Sequence, residues 1–227
     1  MFKIYKILIL LIFATFSLST NAHVQHYQDL KRIEFNIYRN NKHIGTHIFS
    51  FKRSGDEITV ESEIKFEIKK FGIVLYKYYA EGTEVYKDGQ LIKFNSKTKQ
   101  NGKNKYVNMI FENNEYVING SSYKGKAPKE YLIGTWWNHS IISGKAQISA
   151  VSGRIIKQKV KFLGKETIKF GEKSYDTLHY NFSSTDKKLY KDKKLNTDVW
   201  YDKKTLNWVK ASFNKKGKWE YRLVSIN

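Results

Sequence analysis

Histidines and carboxylates are the side chains of this 227-residue sequence that could bind a metal or act as acid and base, because it contains no cysteine. His43 and His47 are four residues apart, which would place them on one turn of a helix but roughly 13 Å apart along a strand. Since the surrounding residues predict a strand, we expect two surface histidines and no shared metal. His23 and His26 could hold copper only with a third imidazole, which no spacing in the sequence supplies.

Catalytic constellations are also missing from the local sequence. There is no Gly-x-Ser-x-Gly turn for a nucleophilic serine and no glycine-rich phosphate loop. Asp176 and His179 are three residues apart in a predicted strand, as are Glu81 and Glu84, so the members of each pair point to opposite faces. We therefore expect a protein that is not an enzyme and has no cofactor. A hydrolase built from long-range contacts is the least favoured alternative.

Aromatic side chains, which make up 15% of the residues, are more informative. Two adjacent pairs, one of two tryptophans and one of tryptophan and tyrosine, lie beside breaks in strand regularity, and such rings are favoured where an apolar cavity meets water. We predict that these pairs form an aromatic rim over a concave sheet and bind a ligand together with two tyrosines of one strand face. The predicted ligand-binding residues are Trp136, Trp137, Trp200, Tyr201, Tyr76 and Tyr78. The alternative is that these rings only fill the core.

Apolar and polar side chains alternate almost everywhere in the sequence, as in residues 58–69, and this pattern predicts β-strands. The aromatic residues are therefore expected to lie on strands or at strand ends. Turn pairs such as Asp88-Gly89 and Asn101-Gly102 predict type I′ hairpins, whose two central positions both need positive φ. The predicted strands lie near 33–39, 43–52, 57–69, 73–86, 91–99, 105–112, 115–119, 146–152, 154–163, 166–170, 174–183, 197–202, 206–213 and 218–225.

The predicted fold is all-β, because these strands form a long antiparallel meander with at most one short helix near 127–137. So many strands exceed what an open, twisted sheet usually holds, and we expect a curled β-roll, half-barrel or barrel. The helix prediction rests on Pro128, the only proline, at a first helical position.

The N-terminus predicts export. Residues 1–22 read as a signal peptide, with Lys3 and Lys6 before an apolar run and small residues ending at Ala22. The apolar run is shorter than the roughly 20 residues of a membrane-spanning helix. We expect a soluble periplasmic protein whose mature chain, residues 23–227, is a single β-roll domain with halves at about 33–120 and 140–225.

The formal net charge is +20, from 41 Lys and Arg against 21 Asp and Glu. Nucleic acid is not the expected partner, because only five of these residues are arginine, the side chain suited to bidentate phosphate and base recognition. Many lysines fall at predicted turns, which is typical of solvated surface charge, although an anionic membrane surface is also a suitable partner.

Several phrases of the sequence also resemble an uncharacterised family of exported bacterial β-rich proteins, a domain of unknown function that ends in a Trp-Tyr-Asp strand. The phrases are residues 35–39, 43–47, 84–91, 101–102, 135–138, 162–166, 198–202 and 208–209. That family is remotely similar to periplasmic β-rolls and half-barrels such as lipoprotein carriers. The resemblance implies a curled sheet and a periplasmic location, and it carries over no catalytic residue.

Two functions fit these observations. The first is non-catalytic binding of an apolar or amphipathic, lipid-like ligand in the concave face of the roll. The second is a structural or assembly factor whose basic surface docks on anionic envelope lipid or on a protein partner.

Cleavage of the signal peptide gives a direct test of the predicted export. We expect the protein isolated from the cell envelope to begin at His23, because Ala22 ends the pattern that signal peptidase recognises. Edman sequencing of that material checks the start site, and retention of Met1 would contradict the prediction.

Overall fold

The computed structural model describes residues 27, 29–190 and 193–227, and most of these residues lie in strands. The predicted signal peptide, residues 1–22, and the two histidines His23 and His26 lie outside the described residues. The strands are β1 (Arg32–Arg39), β2 (Lys42–Ser54), β3 (Glu57–Lys70), β4 (Ile73–Lys87), β5 (Gln90–Gln100), β6 (Lys103–Glu112), β7 (Glu115–Gly120), β8 (Lys124–Pro128), β9 (Leu132–Ile133), β10 (Ala146–Ile148), β11 (Ile155–Phe170), β12 (Lys173–Ser184), β13 (Asn196–Asp202), β14 (Trp208–Asn214) and β15 (Lys218–Ile226).

All fifteen described strands belong to one sheet with the order β8-β7-β6-β5-β4-β3-β2-β1-β15-β14-β13-β12-β11-β10-β9. Except for β8 and β9, which end the sheet at opposite edges, strands that follow each other in the chain are neighbours in the sheet. β1 pairs with β15, so the first and last strands join the two halves at the centre. Every described pairing is antiparallel except that of β9 with β10. The predicted all-β meander is therefore confirmed.

Alternating side chains give the sheet an inner and an outer face. In β1 the side chains of Ile33, Phe35 and Ile37 are fully buried, whereas the residues between them are partly exposed. The two predicted type I′ hairpins are confirmed, since Asp88-Gly89 and Asn101-Gly102 all have positive φ.

The sheet curls until its two ends meet across a seam. The backbone N–H of Ser122, next to β7, donates to the carbonyl of Ser152 at 2.9 Å, and the Ser96 hydroxyl donates to the Ala150 carbonyl at 2.5 Å. These contacts place the turn between β10 and β11 against β5 and β7. The seam is bridged by a turn, and β8 and β9 do not pair with each other, so the sheet forms a curled half-barrel that stays open.

Residues 127–137 contain no helix, which agrees with the expectation of at most one short helix there. Ala127 is in β8, paired with Tyr116 of β7, and Pro128 ends this edge strand, a position where its missing N–H removes no ladder bond. A single turn of 3₁₀ helix, His139–Ser143, follows later and is capped by the Asn138 side chain. None of the described residues forms a helix long and apolar enough to cross a bilayer.

Two predicted strands, 154–163 and 166–170, are one strand in the structure. β11 runs continuously through both ranges, and a register shift between Phe162 and Gly164 absorbs the irregularity. The sequence also missed β8 and β9, because the five residues of β8 include glycine, proline and two lysines and β9 has only two residues.

Gly120 is the residue whose substitution tests the seam. A methyl group there would lie 2.5 Å from the Ser152 carbonyl oxygen and 2.9 Å from the Gly153 Cα, both backbone atoms that cannot rotate away. We expect Gly120→Ala to lower the free energy of unfolding by roughly 1–3 kcal/mol, as overpacking does in protein interiors. Urea denaturation measures this loss.

Gly144→Ala is the matched control, because its methyl group would meet atoms no closer than 3.4 Å and its φ is −73°. Equal stability of the two variants would show that the ends of the sheet are not in close contact.

Candidate functional site

The segment of residues 129–145, which we call the plug, fills one part of the concave interior. Its anchor is Trp137, which is fully buried and whose ring packs edge-on against Phe51 and Tyr86 at centroid distances of 5.2 and 5.6 Å. The Tyr201 hydroxyl donates to the carbonyl of Trp136 at 3.0 Å, which ties the plug to β13. The plug therefore contacts both halves of the sheet.

Glu84 of β4 is a buried carboxylate beneath the plug. It accepts a hydrogen bond from Trp137 Nε1 at 3.0 Å and one from the Tyr86 hydroxyl at 2.5 Å. No Lys or Arg of the described residues forms an ion pair with it. Burial without a cation raises its pKa to about 7, although hydrogen bonding by Tyr86, Trp137 and Thr135 acts in the opposite direction. Glu84 thus holds the plug in place and is not open to a substrate.

A cavity of about 370 Å³ lies beside the plug, inside the roll. Strands of both halves of the sheet contribute to its wall, together with the end of the plug and the seam turn. Its apolar lining includes Phe94, Ala80, Ile64, Ile156, Trp136, Trp208, Tyr78 and Tyr221, and its polar and charged lining includes His47, Ser62, Ser96, Thr98, Thr135, Gln147, Ser149, Glu81 and Lys215. A pocket with apolar walls and a few polar groups is the usual form of a small-molecule site.

Three nitrogen atoms of the cavity lining are buried and have no hydrogen-bond partner among the described residues. They are Trp136 Nε1, Trp208 Nε1 and His47 Nδ1. The two indole rings meet edge to face at 5.8 Å, and the His47 ring lies 5.9 Å from that of Trp208. Buried tryptophan N–H groups usually have a partner, and leaving a donor unpaired costs about 1–3 kcal/mol. Two donors beside one cavity are thus unsatisfied, and because both atoms are fully buried, an acceptor atom reaches them only if the neighbouring side chains move.

His47 is a neutral group in this site. It is packed between the rings of Phe49, Trp208 and Tyr221, and burial lowers its pKa to about 3. A neutral imidazole offers one donor and one acceptor nitrogen. The prediction that His47 is a surface residue is wrong, because it lies with Phe49 on the inner face of β2. His43 is exposed as predicted.

The four rings of the predicted rim do not meet at one opening. Trp136 lines the cavity, whereas Trp137, the anchor of the plug, and Tyr201, which contacts the plug, are fully buried. Trp200 lies on the outer face of β13, as the alternation with Tyr201 predicts, and its Nε1 donates to Glu166. Of the two tyrosines predicted with them, Tyr78 lines the cavity and Tyr76 stacks on Phe66 outside it. Ligand binding by these six residues stays a prediction, and the geometry supports it for Trp136 and Tyr78.

The outer face of β12 and β13 carries a separate polar cluster. His179 Nδ1 lies 2.9 Å from Glu166 and its Nε2 lies 3.3 Å from Asp198, while the imidazole stacks on Trp200 at 4.1 Å. Asp176 faces elsewhere and accepts from Thr167, so the prediction that Asp176 and His179 form no pair is confirmed. Among the described residues, no group of His, Asp and Glu side chains is placed to hold a metal ion.

Sequence reasoning missed most of the cavity lining, including His47 and Trp208. His47 could have been found from its alternation with Phe49 and Phe51, which places all three on one strand face. Nothing in the sequence indicates that Trp208 lines a cavity, because its contacts with Phe35 and Trp136 join residues that are distant in the chain.

The fold and the cavity together define a class of protein, a curled antiparallel β-roll with an interior pocket. The model of a domain of unknown function, DUF6134, matches residues 35–224, and the chain belongs to this family. No curated protein matches the sequence significantly.

Two solved structures are similar to the fold. A β-barrel-like protein of another domain of unknown function, DUF1849, from Brucella abortus has a TM-score of 0.61 at 11% identity, covering 87% of this chain and 97% of its own. A candidate exported protein with a YmcC-like fold from Bacteroides fragilis has a TM-score of 0.37 at 11% identity, covering 86% of this chain and 94% of its own. The first likeness shows a shared β-barrel-like fold.

The buried carboxylate predicts a specific pH dependence of stability. The pKa of Glu84 is raised from 4.5 to about 7 on folding, so the folded protein binds the proton more tightly and loses stability as the pH rises through this window. We expect the free energy of unfolding of the wild type, relative to that of Glu84→Gln, to fall by roughly 3 kcal/mol as the pH rises from below 4.5 to above 7. This follows from about 1.4 kcal/mol per pKa unit. Urea unfolding of both proteins across the window measures the difference.

His47 acts with the opposite sign, because its folded pKa is depressed from 6.5 to about 3 and its contribution is lost as the pH falls. Comparison with the Gln variant cancels this contribution, since both proteins retain His47. Glu81→Gln is the control, as Glu81 is exposed on the other face of β4. A constant difference between wild type and Glu84→Gln at all pH values would refute the account.

Proposed function

We propose that this protein is a non-catalytic, soluble periplasmic binder of an amphipathic, lipid-like molecule, held in the concave interior of the roll. One observation carries the proposal: two unpartnered indole N–H donors and a neutral imidazole belong to the lining of a single, largely apolar cavity. The apolar body of the ligand packs against the rings, and an ester or carboxyl oxygen accepts from the indoles.

The size of the cavity supports a small ligand or one segment of a longer one. Its volume of about 370 Å³ is within the range of roughly 300–1,000 Å³ typical of ligand sites. Burying apolar ligand surface there stabilises the complex by about 25 cal/mol per Å². An acceptor oxygen at the indoles also removes the cost of two buried, unpaired donors.

Periplasmic location is supported by the N-terminal pattern of residues 1–22, and the absence of cysteine excludes a lipid-modified cysteine as a membrane anchor. A free periplasmic protein suits a carrier or sensor of an envelope lipid. The scaffold function predicted as the alternative needs no ligand in the cavity.

Extraction of the purified protein with organic solvent, followed by mass spectrometry, separates these two functions. We expect a stoichiometric amphipathic molecule that carries a carbonyl or carboxyl oxygen. A second measurement titrates the extracted protein with a fluorescent fatty acid and compares Trp136→Phe with wild type. Loss of the indole donor should weaken binding about 2- to 10-fold, the value of one hydrogen bond of roughly 0.5–1.5 kcal/mol.

Trp219→Phe is the matched control, because its indole N–H already donates to the Lys215 carbonyl at 2.8 Å and its ring is not part of the cavity lining. This variant should bind as the wild type does. If the extract contains no lipid and the fatty acid does not bind, the proposal fails and the scaffold function is favoured.

A further inference from the structure

The hairpin of β3 and β4 ends in an apolar tip, which we define as residues 69–77. Phe71 is 92% exposed at its turn, and the next strand begins with Ile73, Val74 and Leu75, which are 66%, 46% and 54% exposed. Three consecutive strand residues place apolar groups on both faces of the hairpin, whereas the rest of β4 alternates. The tip is an exposed apolar patch that the fold of this chain does not cover, and such patches mark interaction sites.

The turn at the tip departs from the local rules that four other hairpins of the sheet obey. Phe71 has φ +50° and is followed by Gly72 at +80°, the geometry of a type I′ turn. The equivalent first position is Asn40, Asp88, Asn101 or Asn113 in other hairpins of the sheet. Left-handed backbone is unfavourable for a bulky side chain, and so is a phenylalanine in water. A residue that violates two local preferences at once points to a function outside the folded chain.

Lysines surround the apolar tip. Lys69 and Lys70 precede the turn and Lys77 follows the apolar run, while Glu67 is the one nearby carboxylate and pairs with Lys69 and Lys77 at 3.1 and 3.2 Å. Three cations and one anion leave an excess of two positive charges. The Nζ of Lys70 lies 5.4 Å from the Phe71 ring centroid, so a cation sits directly over the apolar apex.

We propose that this tip inserts into an anionic lipid bilayer and anchors the protein at the membrane surface. Apolar side chains at the apex enter the boundary between head groups and acyl chains, and the lysines behind them remain at the level of the anionic head groups. The apex presents only four large apolar side chains. Their exposed surface is too small to supply the roughly 800 Å² per partner that a stable protein interface buries. A bilayer needs no complementary shape, so a small, basic and apolar apex suits it better than a protein.

Phe71→Asn tests the anchor without damaging the hairpin. Asparagine before glycine is the favoured type I′ sequence, so the variant should unfold at the same or a higher temperature than the wild type. Binding to phosphatidylcholine vesicles that contain phosphatidylglycerol is then measured by sedimentation. Burial of one phenylalanine side chain changes a partition constant by about 10- to 100-fold, so we expect the variant to bind at least tenfold more weakly.

Tyr190→Asn is the matched control. Tyr190 is also an exposed aromatic, 76% accessible, with the Nζ of Lys193 at 5.8 Å from its ring, but it lies in the loop between β12 and β13. This variant should bind the vesicles as the wild type does. Vesicles of phosphatidylcholine alone should bind the wild type more weakly, and salt should weaken but not abolish binding to the anionic vesicles.

Three results would overturn the proposal. The first is wild-type affinity of Phe71→Asn for anionic vesicles, and the second is no binding of the wild type to them. The third is self-association of the wild type, measured by light scattering and lost in Phe71→Asn, with no effect of the substitution on vesicle binding. That result would assign the tip to a second copy of this chain. None of these results depends on the cavity or its ligand.

Discussion

The hydrogen bond between Trp137 and Glu84 is the interaction on which the interior of the roll depends. A curled sheet of this length encloses more space than its own inward side chains fill, and the plug fills the part around Trp137. A buried carboxylate is costly without a cation, yet the indole N–H and the Tyr86 hydroxyl both satisfy it. The same contact holds the preceding residue, Trp136, against Trp208, and these two rings form one wall of the cavity.

Tyr78 joins the cavity to a second, open groove near the hairpin of β3 and β4. Tyr78 lines the cavity and also the open groove of about 840 Å³ that runs beside β3 and β4, and its ring stacks on Phe66 at 4.8 Å. Desolvation of the hydroxyl raises the pKa of Tyr78 to about 12, although part of its ring is exposed. A protein anchored by its tip would thus hold the groove, and the cavity behind it, close to the membrane surface.

Much of the fold follows from local sequence, because alternation and turn chemistry act over a few residues. Asp88-Gly89 and Asn101-Gly102 define two hairpins by themselves, whereas the strand Lys124–Pro128 has no apolar alternation and depends on pairing with β7. The site is less predictable. Because adjacent residues of a strand point to opposite faces, the sequence places Trp200 and Tyr201 on opposite faces. Only the pairing of β13 with β12 and β14 decides that Trp200 faces outward.

The indole N–H signals of the five tryptophans test the central claim most directly, in a ¹H–¹⁵N spectrum of the extracted protein titrated with a fatty acid. The signals of Trp136 and Trp208 should shift and saturate, since these donors have no partner among the described residues. Those of Trp137 and Trp200, already bonded to Glu84 and Glu166, should move little. Unchanged signals for Trp136 and Trp208, or equal shifts of all five, would contradict a ligand site in the concave interior.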